Sequence, residues 1–243
     1  MTHPHEEPAA LAAAAERQAA LPPGPGDRFA GYGVLGLAFQ SGDVLALRRF
    51  PATSCGAGYT SIWHQSSDGR WTFYSDVPVT AGCVPYFAPG LTDTIVTPIR
   101  LEWRGTRRLA IAADGGRLLA WSMWFAPTAP SAAINALLGV LPEGWWRRRR
   151  LLTAAGAMAG LALGAGRLRL TGHTPSGHRF VAAPARVWTV AASRATVAGR
   201  DLGSTAPPAR HTTLGDVVIP RRGLLAFGQS LMLAPGGKGV GSG

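Results

Sequence analysis

The sequence predicts a mainly β protein: an antiparallel barrel or two-sheet sandwich of about ten strands, with a helical-hairpin insertion near residues 130–165. Short apolar segments, several of them alternating, recur between tight turns that contain Gly, Asp or Pro. Near residues 130–165 the apolar residues recur instead at helical spacing. With 243 residues, 47% hydrophobic and 15% charged, the chain has enough apolar surface for a large core.

The composition along the chain predicts three segments. Residues 1–27 form an N-terminal helix or flexible arm, residues 28–234 a single β-barrel domain that includes the insertion, and residues 235–243 a flexible tail rich in glycine. The N-terminus has no basic start followed by an apolar run, so it does not resemble a signal peptide. We therefore expect a cytoplasmic location.

Residues 59–77 predict a β-hairpin. The Asp68-Gly69 dipeptide is typical of a two-residue type I′ turn, in which both central residues have positive φ. Such a turn fixes the register of the two strands. The expected pairs are Ser66 with Trp71, His64 with Phe73, Trp63 with Tyr74, and Ser61 with Asp76.

This hairpin supplies the candidate catalytic residues Asp76, Tyr74 and His64. A carboxylate and a phenol on one face, beside the indole of Trp63, could exchange protons with a bound olefin or enol. In the expected register His64 lies on the opposite face and joins the other two only if the register shifts by one residue. The alternative is that Asp76 binds backbone amides at the strand end while Tyr74 packs in the core.

The insertion predicts two helices. Apolar residues at positions 134, 137, 138 and 141 form one helix face, and a second helix runs from about 145 to 165. The uncharged run 151–166 is too short to span a bilayer, which takes about 20 apolar residues. A glycine at every fourth position, Gly156, Gly160 and Gly164, permits close approach of another backbone. We expect this pair to cover the outer side of the strand at 118–125, which is apolar on both faces.

The formal net charge is +11, and Lys238 is the only lysine. Codon bias of a GC-rich genome explains such a composition, and attraction to an anionic membrane, a nucleic acid or an acidic ligand is the alternative. Scattered arginines without a nucleic-acid-binding motif disfavour nucleic acid. A basic and aromatic cluster at the start of the second helix suits an anionic membrane surface, at the inner face of the membrane. It comprises Trp145, Trp146, Arg147, Arg148, Arg149 and Arg150.

The strand number, the hairpin spacing and the tryptophan-rich strands between Phe29 and Leu233 resemble a lipocalin-like, calycin-type barrel. More loosely they resemble the bacterial carotenoid 1,2-hydratase-like group. Gly31-Tyr32-Gly33 stands where lipocalins carry a Gly-x-Trp motif, so no catalytic residue is carried over. The resemblance implies a barrel cavity for a terpenoid, polyene, polyketide or lipid. The expected ligand-binding residues are Trp63, Tyr86, Trp103, Trp121 and Trp124. The alternative is that these rings fill the core.

The sequence lacks a phosphate-binding glycine loop, a Gly-x-Ser-x-Gly motif and spaced metal ligands, so we expect no cofactor and no metal. Cys55 and Cys83 are more often free thiols than a disulfide in a cytoplasmic protein. The sequence thus predicts binding of a small hydrophobic molecule, with cofactor-free isomerisation, cyclisation or hydration as the catalytic version. The alternatives are a non-catalytic lipid carrier and a membrane-peripheral structural or interaction protein.

Overall fold

The computed structural model describes residues 7–142, 144–208 and 212–236. Most of the expected tail, 235–243, lies outside the described residues, as does the beginning of the expected N-terminal segment. The helices are α1 Pro8–Gln18, α2 Val84–Phe87, α3 Ala129–Val140 and α4 Arg149–Ala162. A short 3-10 turn, Trp145–Arg147, precedes α4.

The strands of the described chain are as follows. The N-terminal half contains β1 Asp27–Ala38, β2 Val44–Thr53, β3 Tyr59–Gln65, β4 Trp71–Ser75, β5 Asp93–Val96, β6 Ile99–Trp103, β7 Arg108–Ala113 and β8 Leu119–Ala126. The C-terminal half contains β9 Thr171–His173, β10 Arg179–Val197, β11 Arg200–Asp201, β12 Thr213–Leu214, β13 Val217–Val218 and β14 Leu224–Leu233.

Ten of these strands form one curled sheet, a half-barrel, in the order β5-β4-β3-β2-β1-β14-β10-β8-β7-β6. Neighbouring strands are antiparallel except β4 and β5, which are parallel, so the sheet is mixed. The strands β9 and β11 pair with the long strand β10, and β12 pairs with β13 in a separate ribbon. The predicted mainly β class is confirmed.

The connection between β5 and β6 requires the sheet to curl. These two strands are the opposite edges of the sheet, yet only Thr97 and Pro98 lie between them. Three peptide units span at most about 11 Å. The Thr97 amide donates to Ser75 O (2.8 Å), and Pro98 O accepts from the Asp114 amide (3.0 Å), so the connection bonds to both sides of the gap.

The concave side of the sheet is filled with apolar side chains. One buried cluster joins residues from β1–β4 at one side to residues from β7, β8, β10 and β14 at the other. Aromatic rings occupy its middle: Tyr32 stacks on Phe227 with ring centroids 5.1 Å apart, and Trp188 meets Phe227 edge-on at 5.5 Å. The half-barrel therefore has a packed interior.

The N-terminal helix α1 lies against this interior cluster. Ala12 is buried there, and Leu11 and Ala15 pack beside it. Outside the cluster, Glu16 of α1 accepts hydrogen bonds from Arg49 at 2.9 and 2.5 Å. Apolar contacts and an ion pair thus attach α1 to the barrel.

Bulges and glycines let the central strands bend. The register of β1 against β2 shifts twice, and that of β10 against β14 shifts between Pro184 and Arg186. Beside that bulge, a Cβ on Gly228 would lie 2.3 Å from Ala183 O. A Cβ on Gly33 would lie 2.2 Å from Leu47 O. Only glycine permits strands to approach this closely at a bend.

The predicted register of the β3–β4 hairpin is wrong by one residue. The Gly69 amide donates to Ser66 O (2.8 Å) and the Ser66 amide to Arg70 O (3.0 Å), and Gly69 has φ +92°. The loop thus has three residues, 67–69, with a left-handed glycine at its end, instead of a two-residue type I′ turn. The observed pairs are Ser61–Ser75, Ile62–Tyr74, Trp63–Phe73, His64–Thr72 and Gln65–Trp71.

The predicted helical insertion is present as α3 and α4. The helix α3 packs on β10, the strand beside β8, whereas the sequence predicts β8 itself as the covered strand. Gly156 and Gly160 face a following segment of backbone: a Cβ on Gly160 would lie 2.0 Å from Gly166 O. The close approach expected at these two glycines is confirmed. Among the described helices, none is long and apolar enough to cross a bilayer.

Replacing Gly228 with alanine should lower the free energy of unfolding by about 1–3 kcal/mol, because the new methyl group overlaps the backbone of β10. Chemical unfolding measures this change. Gly139→Ala in α3 is the control, since its Cβ would meet nothing closer than 4.0 Å and alanine favours helix. An equal loss in the two variants would contradict the backbone contact as the cause.

Candidate functional site

A cavity of about 430 Å³ lies between the convex face of the sheet and the α3–α4 hairpin. Most of its floor consists of outward-facing residues of three adjacent strands, β1, β14 and β10, and residues of β2 and β3 extend it on one side. Many of these are small, and they include Gly31, Gly33, Ala182, Ala226 and Gly228. Because small side chains do not fill the space under a helix, a cavity remains between the two layers.

Apolar side chains of the two helices form the roof. They include Ile134, Leu137 and Leu138 of α3, and Ala155, Met158 and Ala159 of α4. Asn135 fixes α3 on the sheet: its side-chain amide donates to Val187 O (3.0 Å), and its Oδ1 accepts from the Val187 amide (2.8 Å). The roof is therefore attached to the edge of the floor through the backbone of β10.

Arg48 is the unusual residue of this lining. It lies on the outward face of β2, and its guanidinium carbon is 4.5 Å from the centre of the Trp63 ring. Its Nη1 donates to Val34 O (2.7 Å) and Leu47 O (2.8 Å). Burial lowers the pKa of Arg48 to about 10, so the side chain is still cationic at neutral pH.

Two further residues with polar groups, Tyr59 and Cys83, also line the cavity. The Tyr59 hydroxyl is buried and makes no hydrogen bond of normal geometry to a described residue. The Cys83 thiol lies 3.3 Å from Ser61 Oγ. Burial raises the pKa of Tyr59 and of Cys83, so both groups are neutral at pH 7.

Of the five residues expected to bind the ligand, Trp63 lines this cavity. Its ring is stacked on Phe73 with centroids 4.6 Å apart, beneath Arg48. Tyr86 lies beside the cavity instead: its hydroxyl donates to Asp27 (2.6 Å), and its ring meets Phe29 edge-on. Trp63 is therefore the one residue of the five that touches the observed space.

The other three tryptophans lie elsewhere. Trp121 is buried in the interior cluster, where its Nε1 donates to Ser193 Oγ (2.8 Å), and Trp103 packs against the same cluster. Trp124 lies under the guanidinium of Arg108, 4.4 Å from the ring centre. Ligand binding by these residues stays a prediction.

The observed register puts the three candidate catalytic residues on the same face of the hairpin, but it pairs His64 with Thr72, and Asp76 lies opposite Thr60 at the other end. Tyr74 is buried in the interior cluster, and burial raises its pKa. Asp76 accepts a hydrogen bond from the Thr60 amide (2.6 Å) at the strand end. None of the three lines the cavity, and their catalytic role stays a prediction.

His64 belongs to a buried polar group at one end of the half-barrel. Its Nε2 lies 2.7 Å from Asp43 Oδ1, and Arg200 donates to the same carboxylate at 2.9 and 3.1 Å. Burial acts to raise the pKa of Asp43, but the hydrogen bonds from Arg200 and His64 outweigh it, so the pKa is lowered. The group joins the turn before β2 to β3 and β11.

The sequence pattern does not bring Arg48, Tyr59 and Cys83 together as a group. One signal was available: Arg48 and Arg49 are adjacent in an apolar strand, so one of them must face each side of the sheet. The contact among the three residues depends on the position of α2, which brings Cys83 to β3. Cys55 and Cys83 are both free, the first exposed and the second buried.

Within residues 7–142, 144–208 and 212–236, the His, Cys, Asp and Glu side chains do not form a cluster of three that could hold a metal ion. The cavity lining contains none of the acidic residues of these ranges. Its chemistry is that of a mainly apolar space whose lining includes two arginines, Arg48 and Arg169.

No protein-family model matches the sequence, and comparison with curated proteins finds no match either. Several solved structures resemble the fold. One is an acetoacetate decarboxylase, with a TM-score of 0.40 and 11% identity over 87% of this chain and 88% of that chain. Another is the acetoacetate decarboxylase of Legionella pneumophila, with a TM-score of 0.36 and 10% identity over 88% of this chain and 89% of that chain.

A third is the enduracididine biosynthesis enzyme MppR, in complex with the condensation product of pyruvate and imidazole 4-carboxaldehyde. It has a TM-score of 0.36 and 12% identity over 86% of this chain and 88% of that chain. Scores this low carry no inference about function. The barrel-like fold is shown by the curled sheet itself, and none of the comparisons supports the resemblance to the carotenoid 1,2-hydratase-like group.

Replacing Asp43 with asparagine should lower the free energy of unfolding by about 2 kcal/mol at pH 7, because a buried charge-assisted hydrogen-bond network is lost. Since the folded-state pKa is lowered, this stability is complete above the ordinary Asp pKa of about 4 and is lost as the pH falls through the folded-state pKa. Urea unfolding at pH 7 and at about pH 3 measures the free energy of unfolding of both chains. The difference between the variant and the native chain should be smaller at the lower pH.

Asp114→Asn is the matched control, because Asp114 forms an exposed ion pair with Arg117. Loss of this ion pair should lower the free energy of unfolding by less than about 0.5 kcal/mol at either pH. If the two variants lost equal stability, the burial of the Asp43 network would not be the reason for its effect.

Proposed function

We propose that this protein binds a small hydrophobic molecule in the cavity beneath the α3–α4 hairpin and carries or sequesters it. The cavity itself supports the proposal. Its volume of about 430 Å³ falls within the range of roughly 300–1,000 Å³ that is typical of ligand sites. The predominantly apolar floor and roof favour a terpenoid, polyene, polyketide or lipid.

The proposed site differs in place from that of a lipocalin. Lipocalins hold a ligand inside the barrel, whereas rings of Tyr32, Trp121 and Phe227 fill the concave side here. The ligand is therefore assigned to the convex side, where small residues leave room. The lipocalin-like resemblance describes the sheet and not the location of the site.

Binding without catalysis is the version that the lining supports best. An enzyme for isomerisation, cyclisation or hydration needs acid and base groups next to the ligand. Asp76, Tyr74 and His64 lie outside the lining, and the Cys83 thiol is neutral because burial raises its pKa. Catalysis by this chain stays a prediction.

Replacing Ala226 with phenylalanine should fill part of the cavity and weaken binding of a neutral hydrophobic probe, N-phenyl-1-naphthylamine, by about tenfold or more. The rise in probe fluorescence on titration measures the affinity. Ala110→Phe is the control, because Ala110 is a partly exposed strand residue that does not line the cavity. Equal binding by both variants, or no binding by the native chain, would rule out this cavity as the site.

We also propose that the α3–α4 hairpin docks on an anionic membrane surface, from which a hydrophobic ligand can enter the cavity. Large apolar side chains of both helices are exposed: Leu137 (50%), Val140 (78%), Met158 (59%) and Leu161 (85%). Leu137 and Met158 also line the cavity. The same two helices, α3 and α4, therefore form both the exposed apolar surface and the roof of the site.

Charge favours an anionic bilayer as the occupant of this surface. Arg147 and Arg148 lie between the two helices, and Arg149 and Arg150 begin α4. All four are exposed and form no ion pair with a described carboxylate. Trp145 and Trp146 are half-buried beside them, and Arg147 lies over the Trp146 ring at 5.4 Å. Each arginine near an anionic surface contributes about 1 kcal/mol, and tryptophan prefers headgroup depth. The proposal implies a position at the inner face of the cytoplasmic membrane.

Sedimentation with vesicles tests the docking. The native chain should bind vesicles of phosphatidylcholine mixed with phosphatidylglycerol and should bind pure phosphatidylcholine much less. Leu161→Asp should weaken binding to the mixed vesicles by about tenfold, because it removes a large apolar group and adds repulsion. The control Val96→Asp changes an exposed valine of β5 and should leave binding unchanged. Equal effects of the two substitutions would refute docking through the hairpin.

A further inference from the structure

The cation in the cavity lacks an acidic partner. Arg48 is in contact with the apolar lining, and among the described residues no carboxylate forms an ion pair with it. The other arginine of the lining, Arg169, is paired with Asp216. A buried charge is costly unless an opposite charge or several hydrogen bonds compensate for it. Among the described residues of this lining, Arg48 is therefore the cation for which an anionic ligand would supply the missing negative charge.

The hydrogen bonds of Arg48 leave one edge of the guanidinium free. Nη1 donates both of its hydrogens to Val34 O and Leu47 O, whereas Nε and Nη2 form no hydrogen bond to a described residue. This is the edge with which other arginines of the protein hold carboxylates side-on. Arg117 holds Asp114 in this way at 3.0 and 2.9 Å, and Arg104 holds Glu102 at the same two distances.

A second donor without an acceptor lies nearby. Tyr59 also lines the cavity, and it lies on β3 two residues from Ser61, which pairs with Arg48; its hydroxyl is buried. A buried hydroxyl that makes no hydrogen bond costs roughly 1–3 kcal/mol of solvation, so such groups usually mark a missing partner. The guanidinium edge and the hydroxyl both need an acceptor.

We infer that the ligand is a hydrophobic molecule that ends in a single carboxylate, and that the carboxylate binds side-on to Nε and Nη2 of Arg48 and accepts a hydrogen bond from Tyr59. The inference rests on the proposed function and adds the chemical class of the ligand. The planar guanidinium edge matches two coplanar oxygens, and one positive charge matches one negative charge. The apolar chain of the ligand then extends along the floor of the cavity.

Competition against the neutral probe N-phenyl-1-naphthylamine tests this inference on the native chain. Dodecanoic acid should displace the probe with an affinity about tenfold or more above that of dodecan-1-ol, which has the same chain without the charge. Dodecyl phosphate should bind less tightly than dodecanoic acid, because its second negative charge has no partner in the lining.

Two variants locate the effect. Arg48→Met should reduce the affinity for dodecanoic acid to that for dodecan-1-ol and leave the alcohol unchanged. Tyr59→Phe removes only the hydroxyl, should fold like the native chain, and should lower the affinity for the acid several-fold. Arg117→Met is the control: Arg117 is exposed, pairs with Asp114 and does not line the cavity, so the preference for acid over alcohol should persist.

The outcomes separate this inference from the proposed function. If the probe does not bind the native chain, the proposed function fails. If the probe binds but acid and alcohol displace it equally, or dodecyl phosphate binds more tightly than the acid, the carboxylate assignment fails while the proposed function stands. If Arg48→Met does not fold, the preference of the native chain and the effect of Tyr59→Phe still decide the question.

Discussion

Two residues, Thr97 and Pro98, join the opposite edges of a ten-strand sheet, and this short connection gives the sheet its curl. A flat sheet of ten strands, spaced about 4.8 Å apart, would separate its edges by roughly 43 Å, which two residues cannot span. Bulges in β1 and β10 and close approaches at Gly33 and Gly228 allow the bend. The concave side then fills with aromatic rings, and the convex side of the central strands carries small residues. The space between those small residues and the α3–α4 hairpin is the candidate site.

Two adjacent arginines of β2, Arg48 and Arg49, face opposite sides of the sheet and have different partners. Arg49 faces away from the cavity and pairs with Glu16 of α1, which fixes the N-terminal helix on the barrel. Arg48, its neighbour in sequence, points to the convex side and lies over Trp63 in an apolar cavity. The charge of Arg49 is thus paired within the protein, by Glu16. Arg48 is held in place by two backbone carbonyls, and the Nε–Nη2 edge of its guanidinium stays free. This arrangement favours recognition of an acid over stabilisation of the fold.

Much of the fold could be predicted from local pattern, and the errors have local causes. The helical spacing at 134–141 and the glycines at 156 and 160 correctly indicated a hairpin with one face in close contact with backbone. The Asp68-Gly69 dipeptide correctly indicated a turn, but turns of two and three residues share this sequence, so the register was wrong by one. That single residue moves His64 to the face of Tyr74. Trp63 lines the observed cavity, but this cavity lies on the convex side of the sheet and not inside the barrel as the sequence predicts, because aromatic residues do not reveal which side of a strand is hollow.

The sequence by itself determined the class of fold, because alternating apolar segments and helical spacing are properties of neighbouring residues. It also determined that a basic, aromatic segment follows α3. Only the tertiary structure decided where the cavity lies, since that depends on which strands the helices cover and on how residues from β1, β10 and β14 meet. The structure likewise decided that Arg48 has no acidic partner while Arg49, Arg169 and Arg200 have one. The physical reason is that cavities and ion pairs arise between segments distant in the chain, and local pattern carries no information about those distances.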